Sequence, residues 1–330
     1  MDTASHFLIG AGLGGLAHLH PEVASTPSVG LAVTIGTVIA SQAPDFDCVC
    51  RLKGDAAYFK YHRGISHSIP FWFIWPTLIT LLIIPFVDGL SWSLLWMWCF
   101  IAVLVHVGLD VLNTYGTQAL RPFTEEWLAK DVLMILDPYI FLTQLAGIIL
   151  WWTGNISPGP LFAGLNGLTL LYVLIRIYLH RFQLGRISSL YRKYKPVSIS
   201  VTPTFRFNNW QVIVETEDRY ILGRLRNGEY REEIKLPKSW QQAWQRWRQK
   251  SDVLDAFLYF AKYVYFEKRR EGDILRLKWT DLRFRFGQSF PFQAVMEVDY
   301  NGNIVKETIG WGHETNEKVN MVKVLKEVVK

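Results

Sequence analysis

Basic residues are nearly missing from the first half of this 330-residue chain. Residues 1–182 carry eight Lys or Arg against eleven Asp or Glu, whereas residues 183–330 carry 27 against 18. Half of all residues are hydrophobic, so long apolar runs in the first part are seldom broken by a charge. This imbalance argues against an ordinary soluble protein. It predicts a membrane domain over 1–182 and a basic soluble domain over 183–330.

Cysteine is scarce as well, and the three copies, Cys48, Cys50 and Cys99, cannot all pair. This count argues against a disulfide framework. Cys48 and Cys50 could offer thiolates to a metal, but the chain has no second pair of this kind. The N-terminus lacks a cleavage site and has Asp2 where a signal peptide has Lys or Arg, so we expect it to be retained.

Six apolar segments follow one another before residue 182, and a spanning helix needs about 20 such residues. Segments 69–87 and 90–109 meet this length, and 138–152 and 161–179 come close. Two shorter segments, 7–19 and 29–43, suit a short, tilted or re-entrant helix as well as a full span. The first of these carries two offset pairs of small residues that favour close helix packing, Gly10 with Gly14 and Ala11 with Gly15.

The charges of the connecting loops predict the orientation of these segments. Loops 20–28, 88–91 and 153–160 contain no Lys or Arg. The loops on the other side hold the basic residues Arg51, Lys53, Lys60, Arg63, Arg121, Lys130 and Arg181. By the positive-inside rule, we expect a multi-pass protein of the cell membrane with both termini and the basic tail in the cytoplasm.

The tail has the character of a small α+β domain. Four stretches show the β-branched and aromatic alternation of strands, at 197–207, 210–225, 274–286 and 292–311, and the last contains an Asn-Gly turn at 301–302. Between them, helical spacing of apolar residues predicts a helix from Ser239 to Arg270, with Ser239 as its N-cap. The fold class is therefore a multi-pass α-helical membrane domain followed by a cytoplasmic α+β domain.

Ionisable side chains cluster in the apolar part of the chain, where burying a charged group costs the most free energy. Six of the eight histidines lie in the first 110 residues, and such groups at membrane depth mark functional sites. The predicted topology places seven side chains in one cytoplasmic layer: His6, Asp45, Asp47, His62, His67, His106 and Asp110. An eighth, Asp137, precedes a proline and is more typical of a helix start. The remaining histidines, His18, His20, His180 and His313, fall outside this layer.

Imidazole and carboxylate in this mixture suit Zn, Mn or Fe better than Mg or Ca. Seven ligands exceed one tetrahedral site, so one or two ions could be held, with a water between two ions as nucleophile. We predict catalytic roles for Arg63, whose planar fork suits a phosphate, and Asp110, with Ser66 and Ser68 orienting ligands. Read singly, these residues could also be an interfacial histidine, a capped turn or a neutralised His–Asp pair.

Five motifs together resemble a known family: "SHFLIG", "APDFD", "HRGISHS", "HVGLDVLNTYGT" and "RPF". They are similar to the motifs of the membrane-bound metal-dependent hydrolase family (YdjM-like, LexA-regulated inner-membrane hydrolases) over residues 1–150. The long form with a basic tail resembles the YfhP-type members. The resemblance implies a hydrolase-like metal site, similar in ligand types to zinc-dependent phospholipases, on the seven residues above with Thr114 and Gly116 in the following turn. Ser66 stands where the family usually has Thr.

These observations favour a metal-dependent hydrolase at the cytoplasmic membrane face that acts on a phosphoester or a lipid headgroup. An alternative is a membrane-tethered regulatory or binding protein that works through its tail, where "SWQQAWQRWRQK" interleaves aromatic and basic residues. Such a segment suits anionic membrane lipids better than nucleic acid. Transport is a third alternative, although a transport site is expected nearer the bilayer midplane.

Overall fold

The chain folds into an apolar helical bundle followed by a domain of two antiparallel sheets, in a computed structural model that describes residues 1–238 and 242–312. The predicted fold class is confirmed. Eight helices precede the first strand: α1 (Thr3–Ala17), α2 (Pro21–Ser25), α3 (Pro27–Gln42), α4 (Asp55–Tyr61), α5 (Ile69–Ile83), α6 (Trp92–Leu112), α7 (Pro138–Trp152) and α8 (Pro158–Tyr191). The 3₁₀ segments Ala43–Lys53, Ile65–His67, Ile84–Phe86 and Arg192–Tyr194 extend or join them.

Four helical segments among the described residues are long and apolar enough to cross a membrane: Pro27–Lys53, Ile69–Phe86, Trp92–Leu112 and Pro158–Tyr194. The number agrees with the four spans predicted, but the set differs. Segment 29–43 belongs to a long helical run because α3 continues into the 3₁₀ segment Ala43–Lys53. Helix α7 is apolar but has only 15 residues, so it is shorter than a typical span.

Helix α1 lies inside the bundle and packs against α3, α7 and α8. A Cβ atom on Gly14 would lie 2.7 Å from the Thr34 Cα of α3, and one on Gly15 would lie 2.2 Å from the Phe162 ring of α8. The predicted role of these small residues in close packing is confirmed, because the helices approach where no side chain intervenes. A short helix is tolerated here because neighbouring helices surround it.

Helix α8 runs past the predicted end of its apolar segment at residue 179. Its charged residue Arg176 is buried, donates a hydrogen bond to the Phe207 carbonyl at 2.7 Å, and lies 4.1 Å from the Trp210 ring. Ile187 and Tyr191 at the end of α8 then share a core with the first sheet. One helix therefore connects the bundle to the tail without a flexible linker.

The tail contains eight strands and two helices among its described residues. Strands β1 (Ser198–Pro203), β2 (Asn209–Glu215), β3 (Arg219–Arg226) and β4 (Glu229–Pro237) form one antiparallel sheet in that order. Strands β5 (Val264–Glu271), β6 (Ile274–Asp281), β7 (Phe292–Val298) and β8 (Ile304–Trp311) form the second. Helices α9 (Gln242–Arg248) and α10 (Asp252–Phe260) lie between them in the chain. A turn between β7 and β8 includes the predicted Asn-Gly pair: Gly302 has φ of 83°, and its N–H donates to the Asp299 carbonyl at 3.1 Å.

The predicted helix from Ser239 to Arg270 is wrong in its second half. Helix α10 ends at Phe260, and β5 begins at Val264, where aromatic and β-branched residues pair with β6. Ser239, its predicted N-cap, lies outside the described residues. Strand β4 was not predicted from the sequence, because it is an edge strand whose exposed polar residues hide the alternation.

Candidate metal centre

Helix α6 and two 3₁₀ segments bring four of the predicted ligands together at one end of the bundle. Asp45 lies where α3 gives way to its 3₁₀ extension, and His67 ends the short turn that precedes α5. His106 and Asp110 lie one turn apart on α6, and both are fully buried. Because an i,i+4 spacing places two side chains on one helix face, α6 supplies half of the group.

The four side chains of Asp45, His67, His106 and Asp110 form a compact set of ligand atoms. His67 Nε2 lies 3.5 Å from Asp45 Oδ1 and 3.3 Å from Asp110 Oδ2. His106 Nε2 lies 3.7 Å and 3.5 Å from the same two atoms, and 3.3 Å from His67 Nε2. Atoms that bind zinc at 2.0–2.1 Å in a tetrahedron lie about 3.3–3.4 Å apart. The group therefore fits one tetrahedral cation of zinc size.

The hydrogen bonds around this group leave the right atoms free for a cation. His106 Nδ1 donates to the Ser41 carbonyl at 2.7 Å, and His67 Nδ1 lies 3.0 Å from Ser66 Oγ. A proton on each Nδ1 leaves each Nε2 as a lone pair. Burial lowers the pKa of His67 to about 4, which keeps its imidazole neutral.

The carboxylates, like the imidazoles, present atoms that could bind a cation. Asp45 Oδ1 is buried and accepts no hydrogen bond, and the buried Asp110 Oδ2 has no hydrogen bond either but forms an ion pair with Arg63 Nε at 3.2 Å. A buried carboxylate oxygen without a partner is costly, and the neighbouring imidazole Nε2 atoms offer lone pairs, not protons. A cation could be bound by the oxygen and by both lone pairs. The residues present fit a divalent metal.

A second group that could hold a metal consists of Asp45, Asp47 and His62. Here the polar atoms already have partners. His62 Nδ1 lies 2.6 Å from Asp47 Oδ1, and Asp47 Oδ2 accepts hydrogen bonds from Arg63 N at 2.8 Å and Ser66 Oγ at 2.5 Å. A cation at this position would compete with those bonds, so the first group is the better fit.

His6 is close to the centre but belongs to neither group. Its ring stacks on His106 with centroids 3.7 Å apart, and its Nε2 lies 3.2 Å from Asp110 Oδ1. The Met1 amino group also contacts Asp110 Oδ1. The predicted role of His6 as a metal ligand stays a prediction.

Arg63 uses its guanidinium to hold the centre together. Nε lies 3.2 Å from Asp110 Oδ2, and Nη1 lies 3.5 Å from Asn113 Oδ1 and 3.4 Å from the Gly116 carbonyl. The guanidinium also lies 4.7 Å from the Tyr115 ring centroid. These contacts fix Asp110 and the loop after α6. The predicted phosphate-binding role of Arg63 stays a prediction.

The sequence reasoning missed Asn113, which organises that loop. Its Nδ2 donates to Asp110 Oδ1 at 3.1 Å, and its Oδ1 accepts from the backbone N–H groups of Tyr115 and Gly116. Gly116, with φ of 76°, has no room for a side chain because a Cβ would lie 2.7 Å from the Leu128 carbonyl. The spacing of Asn113 three residues after Asp110 could have pointed to it.

Other candidate residues lie apart from the centre. Asp137 caps α7 by accepting hydrogen bonds from Tyr139 N and Ile140 N, as its position before a proline indicated. Cys48 and Cys50 belong to neither metal group formed by the described residues, and His18, His20 and His180 belong to neither as well. His313 lies outside the described residues.

A cavity of about 510 Å³ opens beside the centre. Asp45, His62 and Arg63 line it from the bundle, and Trp311 lines it from the sheet domain. Solvent-sized molecules can therefore reach the candidate ligand Asp45.

An apolar helical bundle with an Asp/His group at one end and a sheet domain against it defines a membrane protein with a candidate metal centre. The chain belongs to the YdjM inner membrane protein family, which matches residues 1–182. Residues 195–232 match the YfhP middle domain, and residues 245–321 match the YfhP C-terminal alpha/beta plait domain.

The chain is similar along nearly its whole length to "Uncharacterized protein YfhP" of Bacillus subtilis (strain 168). The two are 33% identical over 316 residues, which cover 94% of this chain and 95% of that protein. No solved structure matches the chain.

Proposed function

We propose that the protein is a metal-dependent hydrolase that acts at the cytoplasmic face of the membrane on a phosphoester or lipid-related substrate. The observation that carries this proposal is the four-atom group of Asp45, His67, His106 and Asp110, whose spacing suits a tetrahedral cation. The cavity beside it is lined by Asp45 of this group and by the neighbouring residues His62 and Arg63, so a substrate there could reach one edge of the group. What a divalent cation supplies when bound there is activation of a water as nucleophile and polarisation of a phosphoryl oxygen.

The side chains around the group have separate tasks in this proposal. Ser41 and Ser66 hold the two imidazoles in the tautomer that binds a cation. Asp47 accepts a hydrogen bond from the Nδ1–H of His62, which lines the cavity. This pairing leaves His62 Nε2 as the atom that can take a proton from a water or return one to a leaving group.

The cytoplasmic side is supported by the charges near the centre. Arg51 and Lys53 are exposed on the 3₁₀ segment that carries Asp45, and Lys60 is exposed on the adjacent α4. These are the residues whose positive charge favours the cytoplasm. A substrate with a phosphate would also be attracted to this end of the bundle.

The first test is metal analysis of the full-length protein purified in detergent. We expect one transition-metal ion per chain, and we expect His67→Ala to lose it. His20→Ala is the matched control, because His20 is exposed and belongs to neither metal group. A metal-free wild-type protein, or equal metal content in His67→Ala and wild type, would contradict the proposal.

The second test is turnover by the metal-loaded protein. Phosphomonoesters, phosphodiesters and lipid phosphoesters should be screened, with His62→Gln separating proton transfer from metal binding. We expect His62→Gln to keep its metal and lose activity. Loss of metal in this variant would instead assign His62 to the cation.

The alternative of a regulatory or binding tail has less support from the surface of the tail. Trp244 of the basic aromatic segment is buried in the core of the sheet domain, and Trp247 packs against that core. The Trp244 indole is therefore not free to stack on a base, and the Trp247 indole is only partly exposed. DNA binding by the full-length protein that weakens steeply with salt would favour this alternative.

A further inference from the structure

The sheet domain packs directly on the segments that carry the metal centre. Phe59 of α4 and Tyr115 of the loop after α6 share one hydrophobic core with residues of α10 and the second sheet. Tyr115 and Phe260 have ring centroids only 4.3 Å apart. The domain is therefore held against the centre by apolar packing and is not a separate unit on a tether.

Polar contacts fix the same docking. Lys60 Nζ lies 2.9 Å from Asp255 Oδ2, and Gln118 Nε2 donates to the Tyr259 hydroxyl at 2.7 Å. Arg283, which is buried, donates to the Thr114 carbonyl at 3.4 Å. These three contacts join the sheet domain to α4 and to the loop that follows Asp110.

This docking makes the sheet domain one wall of the cavity beside the metal centre. Trp311, at the end of β8, lines that cavity together with Asp45 and Arg63. Tyr58 and Tyr115 line it as well, on the bundle side: Tyr58 stacks on His62, and Tyr115 lies 4.7 Å from the Arg63 guanidinium. The cavity thus combines aromatic rings with a carboxylate, an imidazole and a guanidinium.

Packing against two aromatic rings of the sheet domain fixes one side of the Trp311 ring. Its ring lies 4.8 Å from Phe284 and 5.1 Å from Phe292, centroid to centroid. It nevertheless keeps 39% of its surface exposed. An aromatic ring that is fixed on one side and open on the other can bind an apolar group without a large loss of side-chain freedom.

We infer that the sheet domain completes the substrate-binding cavity, and that Trp311 is a specificity-determining residue. It binds the apolar part of a phosphoester whose phosphate faces the metal centre. This inference rests on the proposed function, because it takes the ligand to be a phosphoester. The apolar part could be an aromatic ring or an aliphatic chain, and the two differ in how strongly they depend on a flat partner.

The test measures binding of three non-hydrolysable probes to the full-length, zinc-loaded protein in detergent by calorimetry. The probes are methylphosphonate, phenylphosphonate and hexylphosphonate. We expect Trp311→Ala to weaken phenylphosphonate or hexylphosphonate about tenfold, as the loss of one aromatic contact requires, with methylphosphonate unchanged. Trp311→Phe should recover part of the loss. Trp152→Ala, at an exposed site at the end of α7, should change none of the three.

The outcomes separate the inference from the function on which it rests. Weakening of phenylphosphonate alone supports the inference with an aromatic substrate group, and weakening of hexylphosphonate supports it with an aliphatic one. Equal weakening of all three probes, or of none, overturns the role of Trp311 and leaves the hydrolase proposal standing. Failure of wild-type protein to bind any probe overturns the inference and counts against the hydrolase as well.

Discussion

Removal of the Ser66 hydroxyl should weaken metal binding without removing any ligand. Ser66 Oγ donates to Asp47 Oδ2 at 2.5 Å and lies 3.0 Å from His67 Nδ1, so it links the two. In Ser66→Ala the imidazole would have only Asp47 Oδ2 as an alternative acceptor, at 3.8 Å. That distance is too long for a hydrogen bond, so the His67 Nδ1–H would be left buried without a partner.

The size of the effect follows from what such a partner does. Loss of a hydrogen-bonding partner to a metal-binding histidine typically costs about 10–100-fold in affinity. This range corresponds to about 1.4–2.8 kcal/mol. We expect Ser66→Ala to fall within it when zinc affinity is measured by competition with a chromophoric chelator. Loss of a ligand itself, as in His67→Ala, should be larger.

The control is Ser66→Thr, which keeps the hydroxyl. We expect its zinc affinity to stay near that of wild type. If Ser66→Ala binds zinc as tightly as wild type, or if Ser66→Thr loses as much affinity as Ser66→Ala, the hydrogen-bonded link to His67 has no part in metal binding.

Three further predictions concern stability, measured by thermal unfolding in detergent. Burial raises the pKa of Asp131 above its ordinary value of 3.8, so the unfolded chain loses the carboxyl proton at a lower pH than the folded protein does. The folded state is therefore destabilised as pH rises through this range. Asp131→Asn should raise the unfolding midpoint at pH 7–8 and leave it unchanged near pH 4. Arg283→Met leaves the buried Asp281 carboxylate without its partner at 2.7 Å and should cost about 3–5 kcal/mol, much of it recovered by also replacing Asp281 with Asn. Gly14→Val should cost about 1–3 kcal/mol because its side chain would meet the α3 backbone, whereas Gly164→Ala, with open space around its Cβ, should cost little.

The sequence was most informative about the candidate metal centre because a predicted membrane topology assigns each residue a depth in the bilayer. Asp45, His67, His106 and Asp110 are far apart in the chain, yet all lie where predicted segments end on one side, and the structure brings them into one group. The Ser41 carbonyl that holds His106 could not be predicted, because a backbone acceptor leaves no signal in the sequence.

The errors in secondary structure have a common physical origin in the tail. Strand β5 reads "VYFEKRRE", and its charged half resembles the end of an exposed helix until the pairing with β6 is known. Strand β4 reads "EYREEIKLP" and has little apolar alternation because one edge and much of its surface face solvent. Local pattern fails in both strands because pairing with the neighbouring strand, β3 for β4 and β6 for β5, decides the structure.

The charges at the centre also bear on how many cations it holds. Asp45, Asp47 and Asp110 carry three negative charges in or near a buried layer, and Arg63 returns one positive charge. One divalent cation brings the sum of these side chains to zero, whereas a second would leave two positive charges with little water to solvate them. A second ion is therefore expected only when an anion binds with it. Metal analysis should give one ion per chain in phosphate-free buffer and more when inorganic phosphate is present, and two tightly bound ions without any anion would show that this balance of charges does not govern the site.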